Sequence, residues 1–367
     1  MNPFDPKSLQ QDWPRPSRLR PIVIIGAGGV VRDAHLPAYT KAGFPVAGIF
    51  DLNPAAAEAR AREFNLPRVF RSMAEAESVP DAIYDVATPP GAHESALAQL
   101  PNGATLVMQK PVGRNLEEAR RIIKLCHRKK FKAAANFQLR FSPYMLAIRD
   151  FIQRGELGEV VDVEVHLNLE TPWDLFPFLV HEKRVEILVH TVHHLDLVRH
   201  FLGDPHRVYA RTVKHPRYPK LASTRSSIIL DYGDMIRCCL SVNHCHRYGT
   251  RHADATVRVE GTEGCAVATL GLLLDYPRGQ ADRLEIIGRS TRDWVEVPLT
   301  GRWFPDGFIG VMSNVQRFAA GEDSALVSPV EDALRTMALV EACYRSDAEG
   351  GVALDGSDQV SPQSSKS

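Results

Sequence analysis

The sequence has few cysteines, no excess charge of either sign and no long apolar run. Its six cysteines, Cys126, Cys238, Cys239, Cys245, Cys265 and Cys343, form no C-x-x-C pair, so neither a structural zinc site nor a dithiol redox motif is written here. Reduced thiols of this kind fit a cytoplasmic protein. Forty-four basic residues balance forty-four acidic ones, which leaves no net field to hold a nucleic acid or an anionic membrane surface. No uninterrupted apolar stretch is long enough to span a bilayer. The first twenty residues, MNPFDPKSLQQDWPRPSRLR, mix proline with charge and lack the apolar centre of a secretory signal. A small, individually recognised ligand is the partner that remains.

What is present is a chain of 367 residues, 44% hydrophobic and 24% charged, too long for one core of ordinary size and suited to two domains. From residue 21 to 143, short β-branched runs alternate with amphipathic helical patterns. IVII (22–25), VAGIF (46–50), AIYDVA (82–87), ATLVM (104–108) and FKAAANF (131–137) read as buried strands. PAAAEARAREF, GAHESALAQL and LEEARRIIKLCHRKK read as the helices between them. The last has Asn115 as N-cap, Glu117 and Glu118 in its first turn and Lys129 and Lys130 in its last. This alternation predicts an α/β domain with a doubly wound parallel sheet.

Ser142 and Pro143 suit an N-cap and a first helical position, and a helix is expected to run to about Arg154. Beyond it the pattern changes to longer strands: EVVDVEVHLNLE, HRVYARTVKH, then SSIILDY and MIRCCLSVNHCH across a Gly-Asp turn, then ATVRVEG and GCAVATL across Gly-Thr-Glu-Gly. Helical patterns at 307–320 and 329–349 close the chain. Residues 144–350 therefore read as an α+β domain with an open, mostly antiparallel sheet. Its uncovered face favours a homodimer or homotetramer. Residues 1–20 form an N-terminal extension, and the serine-rich 351–367 reads as a disordered tail.

The first strand runs into GAGGVVRDAHLPAY. Gly26 can make the tight turn, and Gly28, Gly29 and Val30 lead into a helix N-terminus that suits a pyrophosphate. Val31 stands where the usual fingerprint has its third glycine. The second strand ends in FDLNP, which puts Asp51 where a ribose-binding acid falls in dinucleotide-binding folds. A carboxylate there accepts from both ribose hydroxyls and repels a 2′-phosphate, favouring NAD(H) over NADP. The alternative is that Asp51 only starts a turn with Asn53 and Pro54.

Together with ATPPGAH (87–93), QKPVGRNLEEA (109–119) and HHLDLVRHFLGDP (193–205), these stretches resemble the Gfo/Idh/MocA oxidoreductases, the group of sugar and inositol dehydrogenases. The resemblance spans about residues 21–349 and implies a Rossmann domain followed by a substrate domain. It implies that Lys110 sits beside the nicotinamide and the substrate hydroxyl, and that Thr88 and Pro89 pass the cofactor with His93 close by. Helix-start chemistry explains His93 equally well. Gln109 replaces the family's usual glutamate, removing a charge that would keep Lys110 protonated. Asn136, Gln138 and Arg140 follow FKAAANF and could reach substrate or nicotinamide, with a structural salt bridge as the alternative for Arg140.

The stretch VEILVHTVHHLDLVRH, 185–200, holds four histidines at helical spacing. Leu188, Val192, Leu195, Val198 and Leu202 share one face of a helix over 185–202, while His190, His193 and Leu197 lie opposite. A metal site would need His190 and His194 with His181 or Glu186, but the glutamate of H-E-x-x-H is missing, and no metal is expected. The resemblance carries the catalytic histidine onto His193, whose imidazole can exchange the hydroxyl proton. Val189 stands where the family often has an aspartate, so His190 is a candidate for orienting substrate. His194 and His200 read as packing residues. Trp173 either stacks on a sugar ring or fills the core.

The expected activity is hydride transfer between nicotinamide and a hydroxyl or keto carbon of a sugar, polyol or cyclitol, with Lys110 and His193 sharing acid/base work. Two other readings remain open. One is transient oxidation followed by elimination with no net redox change, and the other is a non-catalytic sensor of NAD or sugar.

Overall fold

The β-branched runs of the first half become strands buried on both faces because helices cover both sides of their sheet. In the computed structural model, which describes residues 4–351, β1 (Ile22–Ile25), β2 (Val46–Phe50), β3 (Ile83–Val86), β4 (Thr105–Met108) and β5 (Lys132–Ala135) form a five-stranded parallel sheet. Its order is β2-β1-β3-β4-β5. Every position of β1, β3 and β4 is buried. The chain steps from β1 outwards to β2 and then back across to β3, so a crevice opens at the carboxyl ends of β1 and β3, the place where such sheets bind ligands.

Backbone pairing continues just past the strands and draws five loops into one row. Gly26 N donates to Phe50 O, Ala87 N to Ile25 O, Gln109 N to Val86 O and Asn136 N to Met108 O. Asp51, the glycine turn, Thr88, Lys110 and Asn136 therefore share one edge of the sheet. On the helix Leu116–Arg128, the Asn115 side chain accepts from Glu118 N at 2.9 Å, as the sequence predicts. Ser142 does take the N-cap position of the helix Pro143–Gln153, yet its hydroxyl donates to Leu139 O instead of capping.

The second sheet has eight strands in the order β13-β12-β11-β10-β6-β9-β8-β7. They are β6 (Val160–Asn168), β7 (Arg207–Val213), β8 (Arg225–Asp231), β9 (Arg237–Asn243), β10 (Asp254–Gly261), β11 (Cys265–Thr269), β12 (Arg283–Ile287) and β13 (Val295–Glu296). All neighbours are antiparallel except β6 and β9. Burial alternates along β8 and β9, with Ile228, Leu230, Cys238, Leu240 and Val242 facing inwards. The other face leaves Tyr209 and Ile229 exposed. The sequence reading omitted β12 and β13.

Two features cross the expected domain boundaries. The helix Asp306–Ala320 lies late in the chain but packs Phe308, Val311, Met312 and Val315 against Ile22, Ile24 and Val107 of the first sheet. The N-terminal extension is packed as well. Leu9 is buried, Gln10 N donates to Asp150, Gln11 Nε2 donates to Pro298 O at 3.0 Å, and Trp13 Nε1 donates to Asp323 at 2.9 Å. The Trp13 ring stands edge-on to Phe141, with the Arg149 guanidinium over it. The tail reading falls on residues 352–367, outside the described residues.

Candidate active site

Gly26 is the one turn position that only glycine can fill. Its φ is +111°, and a Cβ there would lie 2.6 Å from Ala87 O, so β1 and β3 meet without room for a side chain. Gly28 and Gly29 are exposed, and a Cβ on Gly28 would meet nothing. Val30 is half-buried at the start of the helix. That open space at a helix N-terminus fits the approach of a pyrophosphate. From Val31 to His35 the helix takes a wide π turn before Leu36–Ala42 continues as α-helix, with Val31 fully buried in the position of the missing third glycine.

Asp51 starts the turn and also lies against the glycine loop. One carboxylate oxygen accepts from Asn53 N at 2.7 Å and starts the turn, while the other accepts from Ala27 N at 2.7 Å and so lies against the glycine turn. Each oxygen keeps a lone pair for a ribose hydroxyl. These observations fit a dinucleotide held by Gly26–Val30 and Asp51.

Thr88 and Pro89 lie at the next position of the row, with Pro89 exposed and the Thr88 hydroxyl buried without a partner. His93 differs from expectation. It is fully buried beneath this loop, both ring nitrogens lack partners, and loss of hydration lowers its pKa to about 4. It has no exposed surface to offer a cofactor.

Lys110 stands two residues past the last residue of β4. Its ammonium donates to the backbone carbonyl of Val189 at 3.0 Å, and burial lowers its pKa from 10.5 to about 8. Val189 lies in a second π turn, Glu186–Thr191, which runs into the α-helix Val192–Leu202, so the expected uniform helix over 185–202 is corrected. Wide turns of this kind recur at functional sites. Where the resemblance directs attention to an aspartate side chain, this chain presents a main-chain carbonyl to the lysine.

His193 stands at the start of that α-helix, edge-on to Trp303 at 5.6 Å. Its Nδ1 is buried without a partner, and its pKa is held well below the usual value, first by burial and then by the charge of Lys110. His190 is half-buried between Trp173 and His244, with ring centres 5.4 and 4.8 Å away. Burial and then His244 lower its pKa strongly. His194 is lowered by burial to about 3, and neither of its nitrogens has a partner. These imidazoles are neutral at physiological pH.

Of three residues expected at the substrate, Arg140 and Trp173 are engaged elsewhere and Gln138 is buried. Arg140 donates to both oxygens of Asp196 at 2.6 Å, to Asp332 and to Val327 O, so its guanidinium is committed to the structure. This is the salt-bridge alternative. His200 Nδ1 lies against the same guanidinium at 3.4 Å. Gln138 is only 1% exposed. Trp173 is buried with Leu179, Val185 and Leu221, giving it a core role with an edge towards His190.

Sequence reading missed His244 and considered Glu186, the buried carboxylate beside it, only as a metal ligand. Glu186 accepts from the hydroxyls of Thr191 and Ser226, and His244 Nε2 lies 3.4 Å from it without hydrogen-bond alignment. His244 Nδ1 is 2.8 Å from the Thr171 hydroxyl. Among the described residues, no three histidine, cysteine or acidic side chains converge as a metal ligand set. A cleft of about 160 Å³ opens between Asp33 and Pro37 of the first helix and Tyr276, Arg278, Arg302 and Phe304 of the second half. The Asp33 carboxylate lies 3.9 Å from where a Gly29 Cβ would be, so the cleft adjoins the glycine turn.

A glycine turn, a ribose-type acid and a buried lysine along the carboxyl edge of a parallel sheet define the class of dinucleotide-binding α/β oxidoreductases. The chain belongs to the Gfo/Idh/MocA family: the profile described as oxidoreductase family, NAD-binding Rossmann fold, matches residues 20–137, and that of the family's C-terminal alpha/beta domain matches 149–354. A D-apiose dehydrogenase of Paraburkholderia graminis is 26% identical over 341 residues, covering 89% of this chain and 87% of the relative. An inositol 2-dehydrogenase of Rhizobium meliloti is 25% identical over 336 residues, covering 89% and 96%. The fold is shared with an Agrobacterium radiobacter oxidoreductase solved with NAD+, L-tartaric acid and magnesium, at TM-score 0.75 and 21% identity over 91% of this chain and 98% of that one.

Proposed function

We propose that this protein is an NAD-dependent dehydrogenase or reductase acting on a CH–OH or keto carbon of a sugar, polyol or cyclitol. The observation that carries the reading is Lys110, poised at a pKa of about 8 against the Val189 carbonyl, with His193 on the adjoining helix. Relatives that act on apiose and inositol support the substrate class.

NAD, when bound, supplies the hydride acceptor or donor. Lys110 then holds the reacting oxygen and, in its neutral form, accepts the hydroxyl proton. His193, neutral at working pH, accepts a hydrogen bond or proton from the same region. The neutral imidazole of His190 offers donor and acceptor sites that suit ring hydroxyls. NAD is favoured over NADP because a carboxylate at Asp51, beside the glycine turn, would repel a 2′-phosphate. Arg32, just past the glycine turn, and Arg60 are both paired with Glu63. Six unpaired thiols support a cytoplasmic location.

A panel of neutral polyols and sugar acids with NAD and NADP, followed by nicotinamide absorbance, tests this reading. Lys110→Ala and His193→Ala are each expected to lower kcat by about 100-fold or more. Unchanged rates in both variants would sink the mechanism, and turnover with no release of reduced cofactor would point instead to oxidation followed by elimination.

A further inference from the structure

Between the edge strand β13 and the late helix Asp306–Ala320 runs a stretch, residues 298–303, that belongs to no sheet and must find partners for its backbone elsewhere. Side chains from three separate parts of the protein supply them. Thr300 N donates to Gln11 Oε1 at 2.9 Å, Arg302 N to Asp306 Oδ2 at 2.9 Å and Trp303 N to Asp282 Oδ2 at 3.0 Å. Asp306 in turn accepts from Lys41 of the first domain, and Asp282 from Gly271 N. Gly301 lets Asp306 come close, since a Cβ there would lie 2.6 Å from its carboxylate.

Gln11 grips the stretch at two points. Its amide nitrogen donates to Pro298 O at 3.0 Å while its amide oxygen takes Thr300 N, so both ends of one side chain are spent on residues two apart. A carbonyl on one side and an N–H on the other fix which way round the amide lies. At 6% exposure, little water reaches the side chain to replace those bonds. The extension is also anchored on either side of it, where Gln10 N donates to Asp150 at 2.8 Å and Trp13 Nε1 to Asp323 at 2.9 Å.

The stretch borders the candidate site on two sides. Arg302 and Phe304 line the cleft beside the glycine turn, while Trp303 between them turns inwards, 3% exposed, and stands edge-on to His193 with ring centres 5.6 Å apart and planes at 88°. His193 Nδ1 and Trp303 Nε1 are both buried without hydrogen-bond partners, so ring packing is what Trp303 gives the imidazole. We infer that Gln11 is a positioning residue for the candidate active site: by clamping residues 298–300 it sets Trp303 against His193. The bearing on catalysis rests on the role proposed for His193 above, whereas the link from Gln11 to His193 stands on the contacts alone.

The test is labelling of the full-length protein with diethyl pyrocarbonate, which carbethoxylates neutral imidazoles, read residue by residue by mass spectrometry alongside a thermal melt. Gln11→Met keeps the length and bulk of the side chain and loses both hydrogen bonds. Its His193 is expected to label about fivefold faster than that of wild type, the change in open population that the loss of one net hydrogen bond allows. His93, fully buried in the first domain, serves as the reference and should keep its wild-type rate. Trp303→Leu should release His193 to a similar extent, and adding Gln11→Met to it should change nothing further, because both act on one contact. A wild-type rate for His193 in Gln11→Met would overturn the inference. So would an equal rise at His93, which would mark a general loosening of the fold. Additive effects in the double variant would overturn the route through Trp303. Should Trp303→Leu unfold, Gln11→Met read against His93 still decides whether the extension holds His193. Failure of the wild type to turn over any member of the polyol panel would bring down the proposed function, a different result from a His193 that labels at the same rate with and without Gln11.

Discussion

A lysine stripped of water at the end of a strand changes what it can do at neutral pH. With its pKa near 8, Lys110 is mostly protonated at pH 7 and mostly neutral at pH 9. Only the neutral form can take a proton from an alcohol. The rate of alcohol oxidation is therefore expected to climb with pH, approaching tenfold per unit well below 8, and to level off above it. Ketone reduction should fall over the same range. A pH–rate profile of wild type and Lys110→Ala checks this, since the variant should lose the limb near 8. At this scale much was legible: Asp51, Lys110 and His193 could be named from spacing and family likeness, and the structure puts each at the sheet edge or the adjoining helix. The buried pair of Asp85 and His35, in contact at 2.6 Å, was not legible, because the two are 50 residues apart and only folding brings them together. One local sign existed, a lone aspartate inside the apolar run Ile83–Val86, where an ionised group needs partners.

At the scale of elements, the strand pattern of the first half was read nearly to the residue, since buried parallel strands write themselves as apolar runs. The wide turns at Val31–His35 and Glu186–Thr191 were invisible, because one extra residue in a helical turn leaves the apolar spacing almost unchanged. Yet the second of them carries the Val189 carbonyl that holds the lysine. The glycine turn offers a paired test. Gly26→Ala forces a Cβ against Ala87 O at a φ unsuited to alanine and is expected to cost about 2 kcal/mol or more of stability. Gly28→Ala meets no atom of the protein, so its melting temperature should hold while NAD affinity falls. A thermal melt and a binding isotherm for each variant separate the two roles.

For the whole molecule, composition and charge balance pointed to a small-molecule ligand, and the order of elements gave two sheets. The order did not reveal that a late helix, Asp306–Ala320, completes the core of the first sheet, since sequence position carries no record of which sheet a helix will cover. The exposed face of the second sheet, with Tyr209 and Ile229 uncovered, is expected to be shared between copies. Light scattering after gel filtration should then give at least twice the 40.8 kDa chain mass, and a strictly monomeric mass at micromolar concentration would refute it.

The packed N-terminal segment bears on how the protein should be handled at the bench. A trimmed version beginning at the first strand looks harmless on a sequence plot, because everything before Pro21 reads as polar and proline-rich. Such trimming would remove buried Leu9 and the Trp13 contact with Phe141, and would strip partners from Asp150, Pro298 and Asp323. The shortened protein is expected to melt about 5 °C lower. Affinity handles accordingly belong after Gly350, beyond the last helix, and a tag-removal scar at the front is best kept short.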